Sequence, residues 1–325
     1  MKNLVLGIDI SKDTLDYCIL NSQSIQVESR GIIDNTKKSI DQWLKKFDEH
    51  AIFALEHTGH YGAILIDCLS RNNFQFYVIN PLELKKSLGI QRGKTDTKDA
   101  YRIAEYSITN KHKLAPYQLP SKKLSTLKAL VTARERYVKI SVQIQNSLKA
   151  NEILNKSVDV KMLIREESKQ YKSIEKSIKN IEAQMQELIN QDENLKDSYK
   201  KITKVIGVGP VIAIKCIVET ENFIKFSNAR KFSCHCGLAP FPYQSGSSVK
   251  GRTKTHYLRD KSLKAMLTKG AISAIQHDPQ IKAYYKRKIE EGKHHMNVKN
   301  AVANKIVLRI FAVAKREEPF VKLAA

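Results

Sequence analysis

Four acids stand where their setting calls for chemistry. Asp9 interrupts the apolar run Leu4-Val5-Leu6-Gly7-Ile8-Asp9-Ile10, Glu56 closes a second apolar run from Ala51 to Leu55, and Asp96 and Asp99 lie three residues apart ahead of Ala100, Ile103 and Ala104. A carboxylate inside an apolar strand must be paired, protonated or metal-bound, because a bare charge is costly to remove from water. Spacing of three puts Asp96 and Asp99 on one face of a first helical turn, at the positive end of the helix dipole. Hard oxygen donors on rigid elements are what Mg²⁺ requires, and two such ions about 4 Å apart can clamp a phosphodiester and activate its attacker. Taken singly, Glu56 reads as a solvated strand end and Asp96 as a helix N-cap. The four in this order point to metal.

A second group of residues lies far downstream. Ser245-Gly246 sits on a glycine-flexed stretch beside Lys250, Arg252, Lys254, His256, Arg259 and Lys261, cations able to hold a phosphate near a hydroxyl. By composition alone this is a polar basic loop without catalysis, and Ser247 and Ser248 stand next to it. Just upstream, Cys234-His235-Cys236 invites a zinc reading, but no second ligand pair follows at useful spacing, so buried thiols are expected. Further back, Gly207-Val208-Gly209-Pro210 separates two apolar stretches and resembles a helix-hairpin-helix, whose turn offers backbone N–H groups to a DNA phosphate. A ligand-free connection between helices is the alternative.

The elements that must position these residues follow from periodicity. Apolar runs predict a strand at Leu4–Ile10, a turn at Ser11-Lys12-Asp13-Thr14 and a second strand at Leu15–Leu20, then a third near Ser29–Ile33. A helix opened by Asn35 or Thr36 carries Ile40, Trp43, Leu44 and Phe47, and strands at 51–56 and 74–79 flank a helix through Ile64, Leu65 and Leu69. With the helix after Asp99 the order is β-β-β-α-β-α-β-α, that of an RNase H/RuvC-like α/β sheet. Its fourth strand lies beside its first, which brings Glu56 to Asp9. From Ser121 to Tyr199 there is neither glycine nor proline, and Tyr171, Ile174, Ile178, Ile181, Met185 and Leu188 alternate steps of three and four. This predicts a helical coiled-coil arm, an antiparallel hairpin turning near Asn155–Asp159 and protruding from the first domain, with an ordinary two-helix bundle packed on that domain as the alternative. The rest is expected to be mainly α, with Leu263, Met266, Leu267, Val302, Ile306, Ile310 and Val313 on apolar faces. The expected domains are 1–118, 119–200 and 201–325.

Composition narrows the partners. Lys and Arg number 56 against 33 Asp and Glu, a net charge of +23, in a chain of 325 residues with 42% hydrophobic content. Such a chain is globular and attracts polyanions, so nucleic acid is the expected partner. No run approaches the roughly 18 apolar residues of a spanning helix, since Lys215 and Arg309 interrupt the candidates, and Asp9 comes too early for a signal peptide. Five cysteines without framework spacing suit a reducing cytoplasm.

Four motifs in order carry a family resemblance over nearly the whole chain: Gly7-Ile8-Asp9-Ile10-Ser11-Lys12, Glu56-His57-Thr58-Gly59-His60-Tyr61, Lys94-Thr95-Asp96-Thr97-Lys98-Asp99-Ala100, and Gly237-Leu238-Ala239-Pro240 followed by Tyr243-Gln244-Ser245-Gly246. The chain resembles the insertion-sequence transposases of the IS-one-ten and IS-eleven-eleven group, serine recombinases with a RuvC-like DEDD domain. The resemblance implies Mg²⁺ on Asp9, Glu56, Asp96 and Asp99 and attack on DNA by a C-terminal serine, which falls on Ser245. Gln244 stands where many relatives have another serine, and Ser247 where they have glycine, so Ser247 and Ser248 stay open as nucleophiles. It further implies a noncoding bridge RNA that pairs with donor and target DNA, and a homo-dimer or tetramer with composite sites. Lys94, Gly207, Gly209, Lys250, Arg252, Lys254 and Arg259 are the expected nucleic-acid contacts.

Three rival functions fit parts of the chain. A junction-resolvase type nuclease would use the four acids with water and leave the Ser245 region idle. A sugar-kinase or actin-like ATPase shares the opening hairpin but needs a second glycine-rich phosphate loop, which does not follow. A non-enzymatic basic binding protein would leave the acids incidental.

Overall fold

The computed structural model describes residues 4–57, 59–87, 89, 96–246 and 248–316, with the backbone alone at 249 and 250. The chain divides into two compact units, Met1–Leu119 and Pro120–Ala325.

The first unit runs β1 (Leu4–Ile10), β2 (Thr14–Asn21), β3 (Val27–Asp34), α1 (Lys37–Leu44), β4 (Ile52–Glu56), α2 (Ala63–Arg71), β5 (Gln75–Ile79), α3 (Pro81–Ser87) and α4 (Asp96–Thr109). Its sheet has the order β3-β2-β1-β4-β5. Strands β1, β2 and β3 are antiparallel neighbours, while β4 runs parallel to both β1 and β5. This is the RNase H/RuvC-like sheet that the strand order predicts. Central β1 is covered on both faces, which is why it reads as a continuous apolar run. Leu6, Ile8 and Ile10 pack with Ile40, Trp43, Leu44, Leu65 and Leu69. Val5, on the opposite face, packs with Ala100 and Ala104 of α4.

Local chemistry closes the hairpin and starts the helices. The Ser11 hydroxyl accepts from the Thr14 amide at 3.0 Å and pins the β1–β2 turn. Thr36 caps α1 by accepting from the Ser39 amide. Asn35 does something else: its amide donates to the carbonyls of Ser11 and Tyr61, both at 3.0 Å, and ties together the loops that follow β1 and β4. The short helix α3, begun by Pro81, was not expected from periodicity; proline fits a first helical position because no N–H is needed there.

The second unit runs α5 (Lys122–Leu154), α6 (Lys161–Asn190), α7 (Glu193–Thr203), α8 (Pro210–Glu219), α9 (Ala229–His235), β6 (Phe241–Ser245), β7 (Val249–Lys254), α10 (Lys261–His277), α11 (Pro279–Glu290) and α12 (His295–Ala314). Helices α5 and α6 pair as a long hairpin, α5 alone spanning about 50 Å. Its root is not an appendage of the first unit. Leu124, Leu127, Val131, Met185 and Ile189 share one core with Ile214, Ile217, Leu267, Ile306 and Ile310, so the arm extends from the C-terminal helices. Further out, polar bonds join the two helices: Ser141 donates to Glu175 and Ser147 to Glu167, each at 2.7 Å, and Asn151 donates to Glu167 at 3.0 Å. Glutamates of α6 thus meet serines and an asparagine of α5, whose own Val142, Ile153 and Leu154 are exposed.

The stretch read as a basic loop is instead the two-stranded β6–β7 hairpin. Gly246, at φ +55°, supplies the left-handed residue that its turn requires. Pro242, which has no N–H for the ladder, coincides with the register shift between Phe241 and Tyr243. Among the described residues no helix is long and apolar enough to cross a membrane.

Candidate active site

Three elements of the first unit bring the acids together. In the parallel pairing of β1 with β4, Ile8 faces Leu55, so the next step sets Asp9 beside Glu56. Asp96 and Asp99 occupy the first turn of α4, the former exposed and the latter half-buried. Gly7 decides how close that turn comes: a Cβ there would collide with the Ala100 carbonyl and the Ala104 backbone. Only a glycine on β1 lets α4 seat against the strand two residues before Asp9.

The electrostatics report the convergence. Burial, and then repulsion from Asp99, Asp96 and Glu56 in that order, raise the Asp9 pKa from 3.8 to about 6. A hydrogen bond from the Ile10 amide to the Asp9 carboxylate, at 3.1 Å, acts in the opposite direction. Asp99 has a counter-charge in Arg102, 2.8 Å away. The approach is not yet tight coordination, because the group of three ligating side chains within 4.8 Å of one another among the described residues lies elsewhere, at Glu219, His235 and Asp260. A fifth acid escaped the sequence reading. Asp16 pairs directly across from Asp9 in the antiparallel ladder, is buried, and has its pKa raised by burial and by Asp96. The turn centred on Lys12-Asp13 was the available signal, since it fixes that register. The donor set is entirely carboxylate, the chemistry that hard divalent cations prefer.

In the second unit Ser245 ends β6 and is exposed, opposite Val249. Arg252 and Lys254 lie exposed along β7. Arg259 is at the hairpin's root, its side chain across Gly237, where a Cβ would strike it. Lys94 and Ser247 lie outside the described residues, as does the Lys250 side chain. Gly209 is the N-cap of α8 and has no side chain to satisfy the first-turn N–H groups. Gly207, at φ +92°, is pressed against Gly270 of α10, so of the two glycines only Gly209 is exposed. Lys204 and Lys269 line the cavity of about 580 Å³ beside this turn.

Of the two thiols in the Cys234-His235-Cys236 segment, Cys236 is buried as expected and Cys234 is only half-buried. The Cys236 thiol is pushed up by burial and by neighbouring Cys216, itself raised to about 12. His235 bonds Glu219 at 3.3 Å. The nearby Glu219, His235 and Asp260 have the positions of a metal site, but Lys215 supplies the cation. Its ammonium lies 2.9 Å from Glu135 and Glu219 and 3.5 Å from Asp260. In sequence, Lys215 was legible only as an interruption of an apolar helix.

Two family models match the chain. One, a DEDD transposase of IS110 type, covers residues 6–158, and the other, "Transposase IS116/IS110/IS902 family", covers 199–286. The chain is 26% identical to the "Pilin gene-inverting protein" of Moraxella lacunata over 99% of both chains. It is 24% identical to the "Putative transposase y4pF/y4sB" of Sinorhizobium fredii, over 83% of this chain and 72% of the other. Among solved structures, T. thermophilus RuvC in complex with a Holliday junction substrate aligns with 35% of this chain and 99% of its own, at 11% identity and a TM-score of 0.28.

Proposed function

The chain belongs to the IS110 family of transposases, and from that membership we propose that it cuts and rejoins DNA through a phosphodiester formed on Ser245, with Mg²⁺ held by Asp9, Glu56, Asp96 and Asp99. The observation that carries this reading is geometric: neighbouring strands β1 and β4 carry Asp9 and Glu56, and the first turn of α4, seated on β1, carries Asp96 and Asp99, while burial first and then repulsion from the other three acids raise the Asp9 pKa to about 6. Such crowding is relieved by a divalent cation, and two ions can be held by four acids. When bound, Mg²⁺ would neutralise the scissile phosphate and lower the cost of forming an alkoxide. Asp9 and Glu56, fixed on neighbouring strands, and Asp96 and Asp99, fixed on one helical turn, would set the geometry of that charge.

The serine's part is covalent. Its Oγ attacks phosphorus, the serine proton passes to solvent, and the deoxyribose oxygen departs as an alcohol. The phosphoserine link conserves the bond for rejoining. Exposure of Ser245 at a hairpin tip, with Arg252 and Lys254 on the next strand, supports access by a strand of DNA. The exposed N-terminus of α8 at Gly209 would hold a backbone phosphate. Guidance by a noncoding bridge RNA would delegate sequence choice to base pairing, and strand exchange, which needs several sites at once, would take place in a homo-dimer or tetramer.

The test is a denaturing-gel assay for a covalent protein–DNA adduct with Mg²⁺, RNA from the element itself and labelled junction DNA. Wild type should form an adduct that both Ser245→Ala and Asp9→Asn lose. Cleavage that persists in Ser245→Ala without any adduct would make the protein a nuclease with water as its nucleophile. An adduct that persists would move the nucleophile to Ser247 or Ser248.

A further inference from the structure

A cavity of about 600 Å³ opens in the second unit between α10, α12 and the root of the β6–β7 hairpin, within the roughly 300–1,000 Å³ typical of small-ligand pockets. Its polar groups come from three elements. Thr253 projects from β7, Lys264 and Thr268 are one turn apart on α10, and Asn297, Asn300 and Asn304 recur at steps of three and four along α12. The neighbouring face of α12, with Val298, Val302 and Ile306, is buried in the core. The helix thus turns an apolar face inward and an amide-bearing face to the cavity.

Two features distinguish this wall from an ordinary solvated surface. Lys264 is half-buried, and its pKa is lowered by burial and by the guanidinium of Arg259. Arg259 donates through Nη1 to the His256 carbonyl at 3.2 Å, and its buried Nε has no hydrogen-bond partner among the described residues. Two half-buried cations that repel each other are relieved by an anion. The Asn300 amide, for its part, donates to the Leu238 carbonyl at 2.8 Å, which fixes the side chain and leaves its oxygen as an acceptor. Side-chain amides that offer a donor and an acceptor suit the edge of a base, and the apolar Pro240 and Met296 walls suit its face.

We propose that this cavity holds one unpaired nucleotide of the nucleic acid on which the enzyme acts, its phosphate on Lys264 and its base edge on the asparagine face of α12. This inference rests on the reading that the adjoining Ser245 hairpin engages nucleic acid. A cavity of this volume is large enough for a single nucleotide. The nucleotide comes from DNA or from RNA, and the chemistry is shared.

The test uses the full chain and short labelled duplexes with one bulged thymidine, with an abasic bulge at the same place, or fully paired. The abasic duplex keeps the bend and removes the base. Wild type should bind the thymidine bulge about tenfold more tightly than the abasic one. Asn304→Leu and Thr268→Val, each of similar volume to the residue replaced, should erase that preference while leaving the paired duplex bound as before. Lys264→Met should lower the salt dependence of bulge binding by about one ion. A 4-thiothymidine bulge should photocrosslink within residues 296–304. The same bulge in a ribonucleotide strand identifies the source, since a base preference in RNA alone assigns the pocket to RNA. Equal affinity for thymidine and abasic bulges in both DNA and RNA, with crosslinks outside α10 and α12, would overturn the proposal. An adduct on Ser245 without base preference removes the pocket alone. Base preference with no adduct removes the serine chemistry and keeps the pocket.

Discussion

Gly7 on β1 and Ala100 on α4 approach so closely that a Cβ on the glycine would collide with the alanine's carbonyl oxygen. This contact seats the first turn of α4, with Asp96 and Asp99, near Asp9. Overpacking such a site costs about 1–3 kcal/mol. Gly7→Ala should therefore lower stability by that amount in urea denaturation and abolish adduct formation even where the protein remains folded. A variant with full stability and full activity would show that α4 can back away without consequence.

Asp9 makes the metal-free protein sensitive to pH. Its folded pKa, raised from 3.8 to about 6, means that its contribution to stability is fully present below about 3.8 and is lost as pH rises through about 6. The full shift corresponds to about 3 kcal/mol, which screening at a half-exposed site reduces to about 1–2 kcal/mol. Asp9→Asn should be that much more stable than wild type at pH 7.5 without metal, while losing catalysis. Thermal unfolding against pH checks the sign, and added Mg²⁺ should raise the wild-type Tm more than that of the variant.

Lys215 is the counter-charge of Glu135, Glu219 and Asp260. Removing one partner of a buried ion pair leaves uncompensated charge and costs about 3–5 kcal/mol. Lys215→Met should lose stability on that scale. Burial alone would raise the Glu219 pKa, but hydrogen bonds and charge from His235 and Lys215 prevail and hold it at about 2 instead of 4.5. Its stabilisation is present above about 4.5 and lost as pH falls through about 2, so Glu219→Gln should flatten the acid limb of wild-type unfolding. Denaturation midpoints at pH 7 and pH 3 provide the comparison.

Arg252 is exposed along β7, one strand from Ser245. Arg252→Gln should leave the unfolding free energy within about 0.5 kcal/mol of wild type, as surface changes do. DNA binding should lose about one unit of its logarithmic salt slope, read by anisotropy from 50 to 200 mM salt. An unchanged slope would place the DNA away from this hairpin.

Much of the first unit was legible because its signals are local. Apolar runs and breakers gave β1 to β5 in order, and the acids could be placed on strand ends and a first helical turn before any contact was known. The long helices α5 and α6 were legible for the same reason: a stretch without glycine or proline has a 3.6-residue period to read. The bulge that accompanies Pro242 and the exposed β6–β7 pairing were not, since an exposed polar hairpin has no apolar alternation to announce it.

Residue types and their spacing by themselves determined the fold class, the basic charge and the candidate acids, since helix and strand period, breakers and composition are properties of neighbours in the chain. Tertiary structure alone decided that Asp16 stands opposite Asp9, that Lys215 is the buried cation of a carboxylate cluster, that the arm roots in the C-terminal core, and that three asparagines of α12 face a cavity beneath the serine hairpin. The physical reason is distance along the chain. Burial, pairing and pKa depend on residues tens or hundreds of positions away, which meet only when the apolar faces have packed.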